Sequence, residues 1–159
     1  MPKPKSNFTK LALRPYGPAT DRREMVRMRV SLWPDCSAVM HRYEMRLFGQ
    51  TSRVRGIWVI YRVEGGLGGF LELSVRPRVD GSMSARVGYV EGWHLDRDLR
   101  GKGWGRRMIE VAGAWTARRG LSELASDAEL ANPDGIWAHR ACGFRETFRV
   151  VQFLKKVRH

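Results

Sequence analysis

Arg100-Gly101-Lys102-Gly103-Trp104-Gly105 constrains this chain more than any other stretch. Three glycines alternate with single residues, two cations sit among them, and an amphipathic run follows directly. Such a turn points successive backbone N–H groups at one spot, and a helix starting there adds the positive end of its dipole. Without Cβ atoms in the way, a phosphate comes close to the backbone. The chain has no G-x-x-x-x-G-K-[ST] P-loop. It also lacks the G-x-G-x-x-G spacing of a dinucleotide fold. The expectation is a strand, a pyrophosphate cradle of another kind, and a helix in direct succession.

Hydrophobic periodicity arranges the remaining elements around that turn. Residues 11–15 read as a short strand, and Asp21 is placed to cap a helix over 22–32 with Met25, Met28 and Leu32 on one face. A second helix is expected over 37–48, ended by Gly49. Strands follow at 57–61, 70–75 and about 85–95, with turns at Gly65-Gly66 and Asp80-Gly81. Met108, Ala112 and Trp115 keep helical spacing up to Gly120. Beyond it, 121–126 reads as a strand, 133–142 as a helix and 150–154 as a closing strand. No repeat or linker interrupts this order. The reading is one α+β domain over 10–159, with a mixed, largely antiparallel central sheet flanked by helices, after a loose basic tail at 1–9.

The 159 residues, 43% of them hydrophobic, suffice for one sizeable core. No run of 18 apolar residues occurs, and Met1-Pro2-Lys3-Pro4-Lys5 precedes no apolar stretch, so neither a membrane span nor a secretory signal is expected. Cys36 and Cys142 fit reduced thiols of a cytoplasmic protein better than a disulfide framework or a metal site. The formal charge of +13 fits either a compositional background with a phosphate-rich cofactor or a second anionic partner. Because the cations are scattered and form no stripe, nucleic acid is the less favoured partner.

Arg100-x-x-Gly103-x-Gly105 resembles the acetyl-coenzyme A motif of the GCN5-related N-acetyltransferases. The strand before it, the helix after it and Gly143-Phe144 some 40 residues later keep that family's order across roughly residues 55–155. Further blocks resemble one subgroup, the aminoglycoside 6′-N-acetyltransferases. These are Leu32-Trp33-Pro34-Asp35, His41 with Glu44-Met45, Glu91-Gly92, Ala125-Ser126-Asp127-Ala128, Asn132, the run 139–144, and the run 150–156. The resemblance implies acetyl-CoA as co-substrate, no metal and a homodimer. It also implies direct acetyl transfer to the 6′-amine of an aminoglycoside in a ternary complex, conferring antibiotic resistance. A protein N-terminal or polyamine N-acetyltransferase on the same fold is the alternative.

On this resemblance Arg100, Gly101, Lys102, Gly103, Trp104 and Gly105 hold the pyrophosphate. The preceding strand is splayed by a bulge, and its N–H groups near Trp93, His94 and Leu95 hold the acetyl carbonyl. Asn132 matches the position that contacts the pantetheine arm, and a helix cap ahead of Pro133 accounts for it equally well. His139 stands four residues before Gly143, where many members carry a tyrosine that protonates the leaving thiolate. A half-buried helix histidine is the plain alternative.

An aminoglycoside carries several ammonium groups, so a chain of charge +13 must concentrate its acids at the acceptor site. Asp35, Glu44, Glu91, Asp127 and Glu129 are the candidates, with Trp33 as a wall of the site or as core. Glu91 stands in an otherwise apolar strand, where an unpaired carboxylate is costly, so it faces the ligand or pairs with an arginine. Asp127 follows the short strand as a turn residue or as the group that holds the ammonium and takes its proton. Asp127 or Glu91 is the expected base, and His139 or water the expected acid.

Overall fold

β1 (Leu11–Pro15), β2 (Gly56–Arg62), β3 (Leu67–Pro77), β4 (Arg86–Leu95) and β5 (Leu124–Ser126) form one sheet in chain order. The structure is a computed structural model that describes residues 11–157. The basic segment expected as a tail at 1–9 lies outside the described residues. β1 to β4 are antiparallel neighbours and β5 lies parallel to β4. This is the mixed, largely antiparallel sheet expected from the sequence. A parallel pair needs a crossover, and α3 (Trp104–Ala117) supplies it between β4 and β5.

α1 (Pro18–Leu32) and α2 (Ala38–Leu47) cover the other face of the sheet. On that side Met25, Val26 and Met28 of α1 and Met45 of α2 pack with Ile57, Val59 and Phe70. On the α3 side Met108, Ala112 and Trp115 pack with Ile60, Leu71, Leu73 and Val90. Strand alternation therefore sends Phe70 to one core and Leu71 to the other. Covered on both faces, β3 is buried from Leu67 to Ser74. α4 (Pro133–Ala141) follows β5, and Arg106 on α3 donates to the carbonyl of Ala141 at 2.6 Å.

Two local expectations are corrected. Asp21 does not cap α1, because Pro18 lacks the N–H that a first-turn residue leaves unused and so starts the helix four residues earlier than predicted. Asp21 lies inside the first turn and accepts from the N–H of Gly17, the N-cap, at 2.8 Å. Arg14 pairs with the same carboxylate at 2.6 Å. The strand expected at 150–154 is not formed. Residues 144–157 carry no helix or strand, and Phe153 and Leu154 are 89% and 96% exposed. Among the described residues no strand of the sheet pairs with them.

One irregularity shapes everything that follows. β3 and β4 pair Glu72 with Gly92 and then Leu73 with Val90, so Glu91 is an extra residue on β4. Val90 faces the α3 core, whereas Glu91 reaches Ser74 and Arg76 on the α1–α2 side. Gly92 faces that same side, where an added Cβ would strike Trp33 and Phe70 at 2.7 and 2.9 Å. A β-bulge thus reverses the alternation of the strand at its midpoint.

Candidate active site

The turn after β4 has the geometry that its glycines predict. Gly101 and Gly103 take φ of 70° and 84°, the left-handed region, and Gly103 is the N-cap of α3. No side chain caps this helix end and its first turn holds no acid, so its leading N–H groups face outward with the positive end of the dipole. A Cβ at Gly101 or Gly103 would meet nothing within 4 Å, so the approach to the turn is open. Gly105 sits against the ring of Trp93. Arg100 folds back, its Nε donating to the carbonyl of Leu95 at 3.0 Å. The cradle fits a pyrophosphate.

β4 and β5 pair at only three positions, ending at Val90 with Ser126. Past that point β4 continues through Trp93, His94 and Leu95 with no strand beside its outer edge among the described residues. An extended group lying from the turn along this edge would find free backbone donors. Trp93 and His139 meet edge to face, ring centres 5.2 Å apart, so α4 forms the far side of the opening.

His139 is held at both nitrogens. Nδ1 donates to the carbonyl of Gly135 at 2.7 Å, and this bond requires the proton on Nδ1. In the neutral ring Nε2 therefore accepts from the hydroxyl of Ser126 at 2.8 Å. Asn132 caps α4, its Oδ1 accepting from the N–H of Gly135 at 2.9 Å.

On the opposite face of the sheet lies a cleft of about 720 Å³. Trp33, Asp35, Glu44, Glu91 and Glu129 all line it, five of the residues singled out from the sequence. Asp127 is not among its lining residues; it follows the last residue of β5, where the hydroxyl of Tyr89 donates to it at 2.7 Å. The cleft also holds two groups that the sequence reading passed over, Arg29 and Glu72. Arg29 of α1 bonds the Glu72 carboxylate with one nitrogen and that of Glu44 with another. Its Nε donates to Nδ1 of His41 at 3.3 Å, and its guanidinium lies 4.8 Å from the centre of the Trp33 ring. Glu72 is 2% exposed. Burial pushes its carboxyl above the ordinary range in spite of the opposing pull of Arg29.

Glu91 meets a different environment. Burial alone would raise its carboxyl, but hydrogen bonds from Arg76 and Ser74 outweigh that and hold it below the usual range. Arg76 Nε donates to it at 2.9 Å. The same guanidinium lies 3.5 Å from the centre of the Tyr89 ring. Burial, with the bond to Asp127 second, pushes the Tyr89 phenol well above its ordinary value. Glu91 thus has both of the fates left open for it, an arginine partner and a place on the cleft wall.

Comparison with known proteins agrees with this geometry. An aminoglycoside N(6′)-acetyltransferase type 1 of Klebsiella aerogenes is 35% identical over 138 residues, covering 86% of this chain and 91% of its own. The crystal structure of an aminoglycoside antibiotic 6′-N-acetyltransferase from Acinetobacter baumannii superposes with a TM-score of 0.81 at 28% identity, over 93% of this chain and 99% of that one. A structure of AAC(6′)-Iy in complex with the bisubstrate analogue CoA-S-monomethyl-acetylneamine gives 0.81 at 25% identity, over the same shares of the two chains. Residues 23–144 match the acetyltransferase (GNAT) family, a span that holds the uncapped α3 turn, the bulged β4 and the helix bearing His139. The chain belongs to that family.

Proposed function

We propose that this protein transfers the acetyl group of acetyl-CoA to the 6′-amine of aminoglycoside antibiotics and so confers resistance to them. One observation carries the acceptor class: a chain of net charge +13 gathers Asp35, Glu44, Glu72, Glu91 and Glu129 around one cleft, against only Arg29 and Arg53. Such a cleft favours a polycation. The relatives at 35% and 28% identity, both named as 6′-acetyltransferases of aminoglycosides, support the same reading.

Acetyl-CoA supplies the activated acyl group. The turn at Arg100 to Gly105 and the first N–H groups of α3 would hold its pyrophosphate. Donors along the open edge of β4 near Trp93, His94 and Leu95 would polarise the thioester carbonyl as charge develops on its oxygen. Asn132, with one side-chain atom committed to its cap, keeps its amide nitrogen for the pantetheine arm.

The attacking amine must shed a proton. Glu91, held below the ordinary range by Arg76 and Ser74, is a weak base fixed in place on the cleft wall. Asp127 bears no cationic partner among the described hydrogen bonds and takes the proton in this reading. The leaving thiolate takes a proton from His139 or from water. His139 serves only as the imidazolium, because its neutral Nε2 carries no proton in the geometry fixed by Gly135. Holding both substrates at the bulge supplies much of the rate by proximity. Burial pushes the Cys142 thiol up, away from a nucleophile's role, which favours direct transfer over an acyl-enzyme.

We also propose a homodimer acting in the cytoplasm, where acetyl-CoA is supplied. Phe148, Val150, Val151, Phe153, Leu154 and Val157 are exposed along one terminal segment, and a second copy would cover them. The substrate assignment is tested by CoA release with kanamycin or tobramycin against paromomycin, which bears a 6′-hydroxyl. Turnover of the first two alone is expected. Equal turnover of all three would overturn the regiospecificity, and turnover only of short peptides or polyamines would overturn the substrate class.

A further inference from the structure

We propose that Tyr89 is a positioning residue for the transfer reaction: its hydroxyl fixes Asp127, and its ring, clamped by Arg76, ties that carboxylate to Glu91. This inference rests on the reading of Asp127 as the group that acts on the amine.

The placement follows from the sheet. Tyr89 of β4 lies opposite Ala125 of β5, and Asp127 is two residues further on, so strand alternation returns it toward the face of Tyr89. The hydroxyl donates to Asp127 at 2.7 Å. Tyr89 itself is 6% exposed, so water does not compete freely for that bond. The Arg76 guanidinium, 3.5 Å from the ring centre, blocks the ring's swing on one side. Arg76 then reaches Glu91, 2.9 Å from its Nε, and Ser74 donates to the same carboxylate. Five side chains from β3, β4 and the end of β5 thus form one connected unit.

Donor chemistry separates the two carboxylates. Glu91 is matched by a full cation, so the pair carries little net charge and holds a fixed position. Asp127 is matched by a neutral phenol, which orients it without cancelling its charge. A lysine or arginine at position 89 would orient Asp127 equally well and remove the charge that an ammonium needs. Tyrosine supplies direction alone.

Tyr89→Phe removes the hydroxyl while keeping the ring under Arg76. Loss of one hydrogen bond to a charged group predicts a fall in kcat of about tenfold. KM for acetyl-CoA and the melting temperature should stay near those of the unaltered protein. Asp127→Asn should lower kcat further, and adding Tyr89→Phe to it should cost little more, since the phenol acts through Asp127. Tyr89→Leu, which also frees Arg76, should in addition raise KM for the aminoglycoside.

Each alternative result is decisive. Equal losses from Tyr89→Phe in the presence and absence of Asp127 would overturn the coupling. An unchanged kcat in Tyr89→Phe beside a strongly reduced one in Asp127→Asn would overturn the role of Tyr89 and leave Asp127 in place. An unchanged kcat in Asp127→Asn would remove Asp127 from the mechanism and Tyr89 with it. A KM change for acetyl-CoA alone would mean that the phenol serves the donor side.

Discussion

Arg29 and Glu72 form an ion pair sealed between α1 and β3, and the same guanidinium reaches out to Glu44 on the cleft wall. Removing one member strands the other. Arg29→Met leaves the carboxylate of Glu72 buried without its partner, and stability should fall by about 3–5 kcal/mol in urea unfolding. Combining Arg29→Met with Glu72→Leu should restore most of that loss. The double variant would still release Glu44, so its KM for an aminoglycoside should rise while acetyl-CoA binding holds. Full activity in the double variant would show that the pair serves stability alone.

The α3 turn should respond on the donor side only. Gly103→Ala places a Cβ at φ 84°, a conformation costing roughly 1–2 kcal/mol for an L-residue, and the turn will relax away from it. Losing one charge-assisted N–H bond to phosphate predicts an increase in KM for acetyl-CoA of about tenfold. KM for the aminoglycoside should move little. A matching rise in both would argue that the turn supports the whole fold.

Acid should act early at the first helix. The hydrogen bond from Arg14, with the N–H of Gly17 assisting, holds the Asp21 carboxyl below its ordinary value. Below about pH 4 the unfolded chain binds a proton that the folded one refuses, so stability falls as pH drops through the lowered folded value. Asp21→Asn should be less stable at neutral pH and show a flatter dependence on pH across that range. Parallel curves for the two proteins would remove Asp21 as a source of acid sensitivity.

Phe153→Asp combined with Leu154→Asp tests the proposed assembly. The unaltered protein should sediment as a dimer and the double variant as a monomer, with solubility maintained or improved. A monomeric unaltered protein would overturn the dimer.

Most helix ends and turns were legible because their chemistry is local, the start of α1 being the exception. Ser37, Gly103 and Asn132 sit at the caps their residue types favour, and Gly65-Gly66 and Gly81 take the positive φ that a turn requires. Arg29 was missed because its partner stands 43 residues away, although Glu72 shows the same signal that singled out Glu91, an acid inside an apolar strand. The resemblance implied a bulge in the strand before the turn, but only pairing with β3 puts it at Glu91. The segment at 150–154 has a strand's composition without a strand's neighbour, and pattern alone cannot supply one.

Because Glu91 is the supernumerary residue of β4, the site is more sensitive to length than to identity at this position. Replacing Glu91 alters one charge. Deleting it would restore unbroken alternation with Gly92 and His94 still on the α1–α2 side, but it would straighten the strand, remove the bend where β4 parts from β5 and take away the carboxylate that Arg76 holds. Variants selected for new antibiotics should therefore accumulate substitutions around this strand and keep its residue count.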